Sequence, residues 1–321
     1  MERPNQVIKE NIDKKIKRKT TLDKIIKVAF TLVGLLCASV IIVVIIFILI
    51  KGLQPFINTY TIDGVEYRVD FFKFLFGNTW FNYPNIYGAG YIIVNTIFIT
   101  LLSLIIAVPI SILSALFIVR IAPKCISKIL NAIIELLSSV PSVIYGVFGA
   151  GVITNIVKTI SSWFNYQSAG GVSTLSTVLV LAIMIIPTIT MISITSIKAI
   201  KEDYIKGSLA LGASPTYTNF HVVLTSAKGG IFSGIILGVG RALGEATAVS
   251  MVAGNANNGP TFNPFDITKT LTSTMLQGFS ETSGLDYDIK FSVGILLIFV
   301  ILVTNLLLNL VKKKIGGNYG H

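Results

Sequence analysis

Six runs of this sequence are long and apolar enough to cross a bilayer, and no other feature narrows its fold so far. They cover residues 28–50, 91–119, 129–154, 172–196, 229–253 and 291–311. A hydrocarbon core about 30 Å thick needs roughly 20 helical residues at about 1.5 Å of rise each. Lipid offers no water to backbone N–H and C=O groups, so each run must close its hydrogen bonds within itself as a helix. A spanning barrel needs alternating segments of about ten residues, and the sequence has none. The expected class is an all-α integral membrane protein with six transmembrane helices. Composition agrees: 53% of residues are hydrophobic and 13% charged, against about 25% charged in soluble domains, and the mean hydropathy is +0.78.

A net charge of +11 would suggest nucleic acid in a soluble protein. Here the charge is sorted by loop instead, as the positive-inside rule describes. With a cytoplasmic N-terminus, the inner segments 1–27, 120–128, 197–228 and 312–321 hold nineteen Lys and Arg, and the outer segments 51–90, 155–171 and 254–290 hold six. Both termini are therefore expected in the cytoplasm, with no nucleic-acid partner. The chain divides into a basic tail (1–27), an anchor helix (28–50), an extracellular loop (51–90), a five-helix core (91–311) carrying an inner loop (197–228), and a second tail (312–321). The run Lys14-Lys15-Ile16-Lys17-Arg18-Lys19 is expected to lie against anionic membrane lipid. The first apolar run is too long for a signal h-region, and Lys51-Gly52-Leu53-Gln54 offers no small-residue cleavage site. Cys37 and Cys125 form neither a disulfide framework nor a metal spacing.

Within the apolar runs, two ionisable residues stand out. Arg241 and Glu245 lie four apart in the fifth run, a spacing that sets both on one face of a continuous helix, where they can pair. A charge at that depth costs a few kcal/mol even on lenient insertion scales, so it marks a functional site by default. The arginine suits an anionic cargo, and the glutamate suits its release. Around them Gly230, Gly234, Gly238, Ala242 and Ala246 recur every four residues, with Gly240, Gly244 and Ala248 as a second row; such rows let another backbone approach closely. Pro109, Pro141 and Pro187 are expected to kink their helices. Glu135 reads as an interfacial carboxylate, with Lys128 as its candidate partner.

The inner loop 197–228 is too rich in helix formers for a plain link. Glu202 and Asp203 open a short helix on the favourable side of its dipole, Gly212 and Pro215 end it, and Ile205, Leu209 and Leu211 give it an apolar side. Such a helix either docks a partner or folds back on the bundle.

At this point a resemblance is clear. "SLALGAS" in the loop, then "GVGRALGEATAVSMVAGN" in the fifth run, with "SSVPSVIYGVFG" at 138–149, resemble the type I ABC importer permeases, and among them the PstC family of phosphate-importer permeases, over roughly residues 88–312. The resemblance implies that the loop is a coupling helix seated on an ATPase subunit, its motif falling on Lys206, Gly207, Ser208, Leu209 and Gly212. Lys206 replaces the family's glutamate, and Thr225 its terminal proline. It implies that Arg241 and Glu245 line a phosphate path, and that the partners are a second permease (PstA-like), an ATPase dimer (PstB-like) and an extracellular phosphate-binding protein (PstS-like). No G-x-x-x-x-G-K-[ST] string is present, so ATP and magnesium are expected on the ATPase, and no cofactor or catalytic residue in this chain. The alternatives are the sister permease subunit, an importer of sulfate or molybdate, and a self-sufficient channel or ion-coupled carrier. An intramembrane serine protease is disfavoured because His221 and His321 both lie in inner segments.

Overall fold

The computed structural model describes residues 4–316 except 63 and 84, and the side chains of residues 4–18, 21, 315 and 316 lie outside the described set, as do the basic run Lys14–Arg18 and most of the C-terminal tail. Helix α1 (Pro4–Ile57) carries the first span, Leu22–Ile57. The chain forms two compact units divided after Lys51, the first being the anchor part of α1.

The second unit opens with the last turns of α1 and a small outer layer. Strands β1 (Tyr60–Ile62) and β2 (Val65–Tyr67) form an antiparallel hairpin, α2 (Phe71–Phe76) follows, and β3 (Trp80–Phe81) and β4 (Ile86–Tyr87) form another. A plain loop was expected here. Strands of two or three residues are too short to show a period in sequence. Aromatic edges hold the layer: Phe56 meets Phe71 and Phe74 edge-on, and Trp80 meets Tyr87 at 5.2 Å.

Helix α3 (Gly90–Leu116) is the second span and runs into a π-helical turn at Phe117–Ile121. The third span departs from expectation. The run 129–154 is not one helix: α4 (Lys124–Ser139) stops, and α5 (Ser142–Phe148), a π-helical turn (Gly149–Ile153) and α6 (Thr154–Trp163) form the crossing segment Ser142–Trp163. Pro141 accounts for the break, because it disfavours helical backbone in the residue before it, and Val140 is extended at φ −64°, ψ 128°. Helix α4 buries no residue. Its charges Lys124, Lys128 and Glu135 fit an interfacial helix better than a spanning one. Glu135 accepts a hydrogen bond from Asn131 rather than pairing with Lys128.

Helix α7 (Thr174–Lys198) is the fourth span and the central column, 72% buried over its apolar window against about a third for the second, third and fifth spans. It continues through Pro187 without ending. Helices α8 (Glu202–Ala210) and α9 (Pro215–Tyr217) lead into a π-helical turn (Thr218–Val223) and α10 (Leu224–Gly244). The fifth span is therefore Pro215–Gly244, displaced from the expected 229–253. Helices α11 (Thr247–Val252), α12 (Leu271–Leu276) and α13 (Leu285–Gly316) complete the chain, α13 carrying the sixth span.

One apolar core joins α3, α5, α7 and α11 around Ile99, Tyr145, Met184, Ile185 and Val249; a second joins α2, α3, α10 and α13 around Phe74, Tyr91, Leu243 and Ile289. The two glycine rows of α10 separate here. Gly230, Gly234 and Gly238 face α7: a Cβ on Gly238 would lie 2.7 Å from Ile189, and one on Gly234 would lie 3.1 Å from Ile192. Ala242, also of this row, is buried in the first core. Gly240 and Gly244 face open space, with nothing within 4 Å of a built Cβ. Substitutions should separate the rows. Gly238→Val is expected to destabilise by about 1–3 kcal/mol through overpacking, whereas Gly240→Ala should leave stability unchanged or raise it by up to about 1 kcal/mol. Thermal melting of the purified protein reads both, and equal effects would contradict this packing.

Candidate functional site

The site is built on a helix that stops. Helix α10 ends at Gly244, Glu245 is extended at φ −76°, ψ 115°, and α11 begins at Thr247. Arg241 stands in the last turn of α10, where carbonyl dipoles favour a cation. Glu245 precedes α11, where free N–H groups favour an anion, and its carboxylate accepts from the Ala248 N–H at 2.9 Å. Each charge thus compensates the helix end beside it.

The break overturns the expected pairing. Four residues put two side chains on one face only while the helix continues. Glu245 is buried, 9% exposed, with its carboxylate on α11 and its carbonyl accepting from the Thr272 hydroxyl at 2.7 Å. Arg241 is part-buried and donates through Nη1 to the Thr188 hydroxyl of α7 at 2.7 Å. Among the described residues no carboxylate lies within ion-pairing distance of the guanidinium. Tyr145 of α5 lies close enough to feel the Arg241 charge, and its own hydroxyl donates to the Leu137 carbonyl in the last turn of α4. Gly244, one turn from Arg241, faces open space. At the same level α5 and α11 touch backbone to backbone, since a Cβ on Gly146 would lie 3.0 Å from the Ala248 Cα.

The result is a guanidinium held by a neutral hydroxyl beside an open flank. Arginine carries five N–H donors in a planar fork that fits a tetrahedral oxyanion, and one is engaged among the described residues. Sequence reasoning singled out Arg241 and Glu245 but not Thr188, Tyr145 and Thr272, which the structure places beside them. A threonine directly after Pro187 in an apolar span was the available signal for Thr188.

At one end of the bundle, α8 carries the loop motif. Gly212 adopts φ +85°, a left-handed conformation that glycine takes without steric cost. Its N–H donates to the Leu209 carbonyl, and the Ala213 N–H donates to that of Ser208, closing a Schellman cap. Lys206 pairs with Glu202 one turn back, Ser208 bonds Thr218 at 2.9 Å, and nothing crowds Gly207. Ile205 is buried on the bundle, while Leu209 is exposed and Leu211 is 91% exposed. The helix therefore folds back and presents an apolar tip.

At the opposite end, a cavity of about 680 Å³ opens beside Tyr67, Arg68, Lys73, Asn85 and Tyr87, well removed in the fold from the Arg241 break. Nearby, Lys269 is 2% exposed, with its ammonium 5.6 Å from the Trp80 ring. Burial, together with the neighbouring Lys290, lowers its pKa to about 8. Tyr87 donates to Asp286, and burial with that carboxylate pushes its phenol well above the usual range.

Six spans, an interrupted fifth helix and a capped helix between the fourth and fifth spans define a transport permease. The chain belongs to the binding-protein-dependent transport system inner membrane component family, whose model matches residues 107–316; it is a multi-pass protein of the cytoplasmic membrane. It is 35% identical over 263 residues to the phosphate transport system permease protein PstC of Pasteurella multocida, covering 76% of this chain and 82% of that one. It is 31% identical over 271 residues to the probable ABC transporter permease protein YqgH of Bacillus subtilis, covering 84% of each. Among solved structures, a bacterial alginate ABC transporter chain superposes with a TM-score of 0.61 at 19% identity, covering 91% of this chain and 97% of that one, which supports the fold alone.

The cap at Glu245 predicts a difference between two substitutions. Glu245→Gln keeps an acceptor for the Ala248 N–H and should leave thermal stability nearly unchanged. Glu245→Leu removes it and should cost about 0.5–2 kcal/mol, the worth of a helix cap. Equal losses in thermal melts would assign the role to charge instead.

Proposed function

We propose that this chain is a permease subunit of an ATP-driven inorganic phosphate importer and forms half of the translocation pathway. The observation that carries this reading is the Arg241 guanidinium, free of any carboxylate partner among the described residues and standing beside an open flank in a spanning helix. Similarity to relatives named for phosphate transport supports the cargo. Arg241 grips phosphate oxygens through its free N–H groups, and Glu245 keeps the site from binding too tightly by repelling the anion. Both termini lie in the cytoplasm, in keeping with the distribution of Lys and Arg.

The remaining parts come from partners. A second, PstA-like permease completes the path against the open glycine row. A PstB-like ATPase dimer binds ATP and magnesium and receives the exposed tip of α8. A PstS-like binding protein delivers phosphate to the opposite end, where the two hairpins lie. Closure of the ATPases moves α8, and the pathway opens outward and inward in turn. Lys206, already paired within α8, contributes to helix stability rather than to a glutamate-type contact with the ATPase. An importer of sulfate or molybdate uses the same arginine chemistry, and competition among these anions for uptake distinguishes them.

Two substitutions test the reading in proteoliposomes holding the whole complex. Arg241→Gln is expected to reduce phosphate uptake at least a hundredfold while the complex still assembles; retained uptake would remove Arg241 from the path. Gly212→Val strains the left-handed turn and should lower the phosphate moved per ATP hydrolysed severalfold. Unchanged coupling would mean that α8 is not the ATPase contact.

A further inference from the structure

Most hydroxyls of α7 beyond Pro187 follow one pattern, from which Thr188 and Ser193 depart, the latter with its buried hydroxyl unpartnered among the described residues. Thr190 donates to the Ile186 carbonyl at 2.8 Å, Thr195 to Met191 at 3.0 Å and Ser196 to Ile192 at 2.7 Å. Each thereby spends its proton on the carbonyl one turn back, the usual resort of a hydroxyl in an apolar helix. Thr188 does not. Its oxygen accepts from Arg241 Nη1, and no acceptor for its own proton lies within hydrogen-bonding distance among the described residues. The side chain is only 9% exposed, and a buried donor left unused costs about 1–3 kcal/mol. A hydroxyl that accepts one bond can still donate another.

From this geometry we infer that Thr188 is a second ligand of the anion site: its oxygen holds one arm of the Arg241 guanidinium while its O–H donates to an oxygen of the bound tetrahedral oxyanion. The inference rests on the phosphate-import reading and deepens it. A neutral hydroxyl suits the task better than a carboxylate would. It fixes the orientation of the guanidinium without neutralising it, so the anion meets the full positive charge, and it adds a donor without adding a cation that would hinder release. Sites that discriminate well are built from such buried groups, which stay unpaired unless the right ligand fills them. Thr188 also ties the charge on α10 to the central column α7, so the anion bridges two helices rather than sitting on one.

The experiment uses the whole complex in proteoliposomes, with inorganic phosphate as the probe, and reads uptake together with ATP hydrolysis stimulated by the loaded binding protein. Thr188→Val keeps the shape of the side chain and removes its hydroxyl. Uptake is expected to fall about tenfold while stimulated hydrolysis stays within twofold of the unsubstituted complex, so that fewer phosphates cross per ATP. Thr188→Ser restores the hydroxyl and should recover at least half of the lost uptake. If Thr188→Val does not assemble, Thr188→Ala against Thr188→Ser makes the same comparison. Uptake and hydrolysis falling together would show a merely structural role, and failure of serine to rescue would dismiss the hydroxyl; either overturns the inference. Normal uptake in Thr188→Val, in a preparation where Arg241→Gln is inactive, overturns the inference and leaves the phosphate reading standing. Normal uptake in Arg241→Gln removes Arg241, and Thr188 with it, from the path and overturns the inference, whereas no phosphate uptake by the unsubstituted complex overturns the phosphate reading itself.

Discussion

The interruption at Glu245 organises this molecule. A helix that stops inside an apolar span leaves carbonyls bare on one side and N–H groups bare on the other, and in lipid such groups find no water. The chain answers both needs locally. Arg241 lies in the turn that ends α10, Glu245 caps α11, and Thr272 holds the Glu245 carbonyl. Two charges that would be costly in an intact helix become the compensation for a broken one. Once the carboxylate is committed to the N–H of Ala248, the guanidinium is left without an acidic partner among the described residues, and in the proposed reading that condition makes it useful to an anion. Broken helices in transport proteins place their ends at the substrate for the same electrostatic reason.

The surrounding packing keeps the break in place. Helix α7 stands at the centre, and α10 lies against it along Gly230, Gly234 and Gly238, where side chains of α7 fill the space that a Cβ would need. Such close approach is how helices associate in a solvent as apolar as their own side chains. On the far side, Gly146 lets α5 reach the backbone of α11, so the short helix beyond the break is clamped between α5 and α12. The outer end is fixed separately, with Trp80 donating to the Asn257 carbonyl and Tyr91 to that of Ala256. The site is thus supported from both directions by regular structure, and little of its geometry depends on loops.

Much of this was legible in the sequence, and the failures have physical causes. The six spans follow from hydropathy and length alone. The third was misplaced because the apolar side of the amphipathic α4 adds to the hydropathy of a window, whereas the decisive residue was Pro141 with its effect on Val140. The fifth was misplaced because Gly244, Glu245 and Ala246 carry no proline to announce a stop; the break is set by tertiary contacts from Thr272 and by the capping bond to Ala248. The Arg241–Glu245 pairing failed for the same reason, since spacing of four has meaning only within an unbroken helix. Thr188 lies 53 residues from Arg241, beyond any local pattern. By contrast, the turn at Gly212 was readable because its chemistry is local: a glycine followed by Ser214-Pro215 specifies its own ending.

That turn has a mechanical meaning for assembly. Its cap closes within the chain, and Ser208 is fastened to Thr218, so the protruding Leu211 is carried on a stiff support before any neighbour arrives. Loops that must be ordered on contact give up part of their interaction energy to that ordering. A knob already rigid loses little, and a push applied to it travels into the bundle instead of being absorbed by bending.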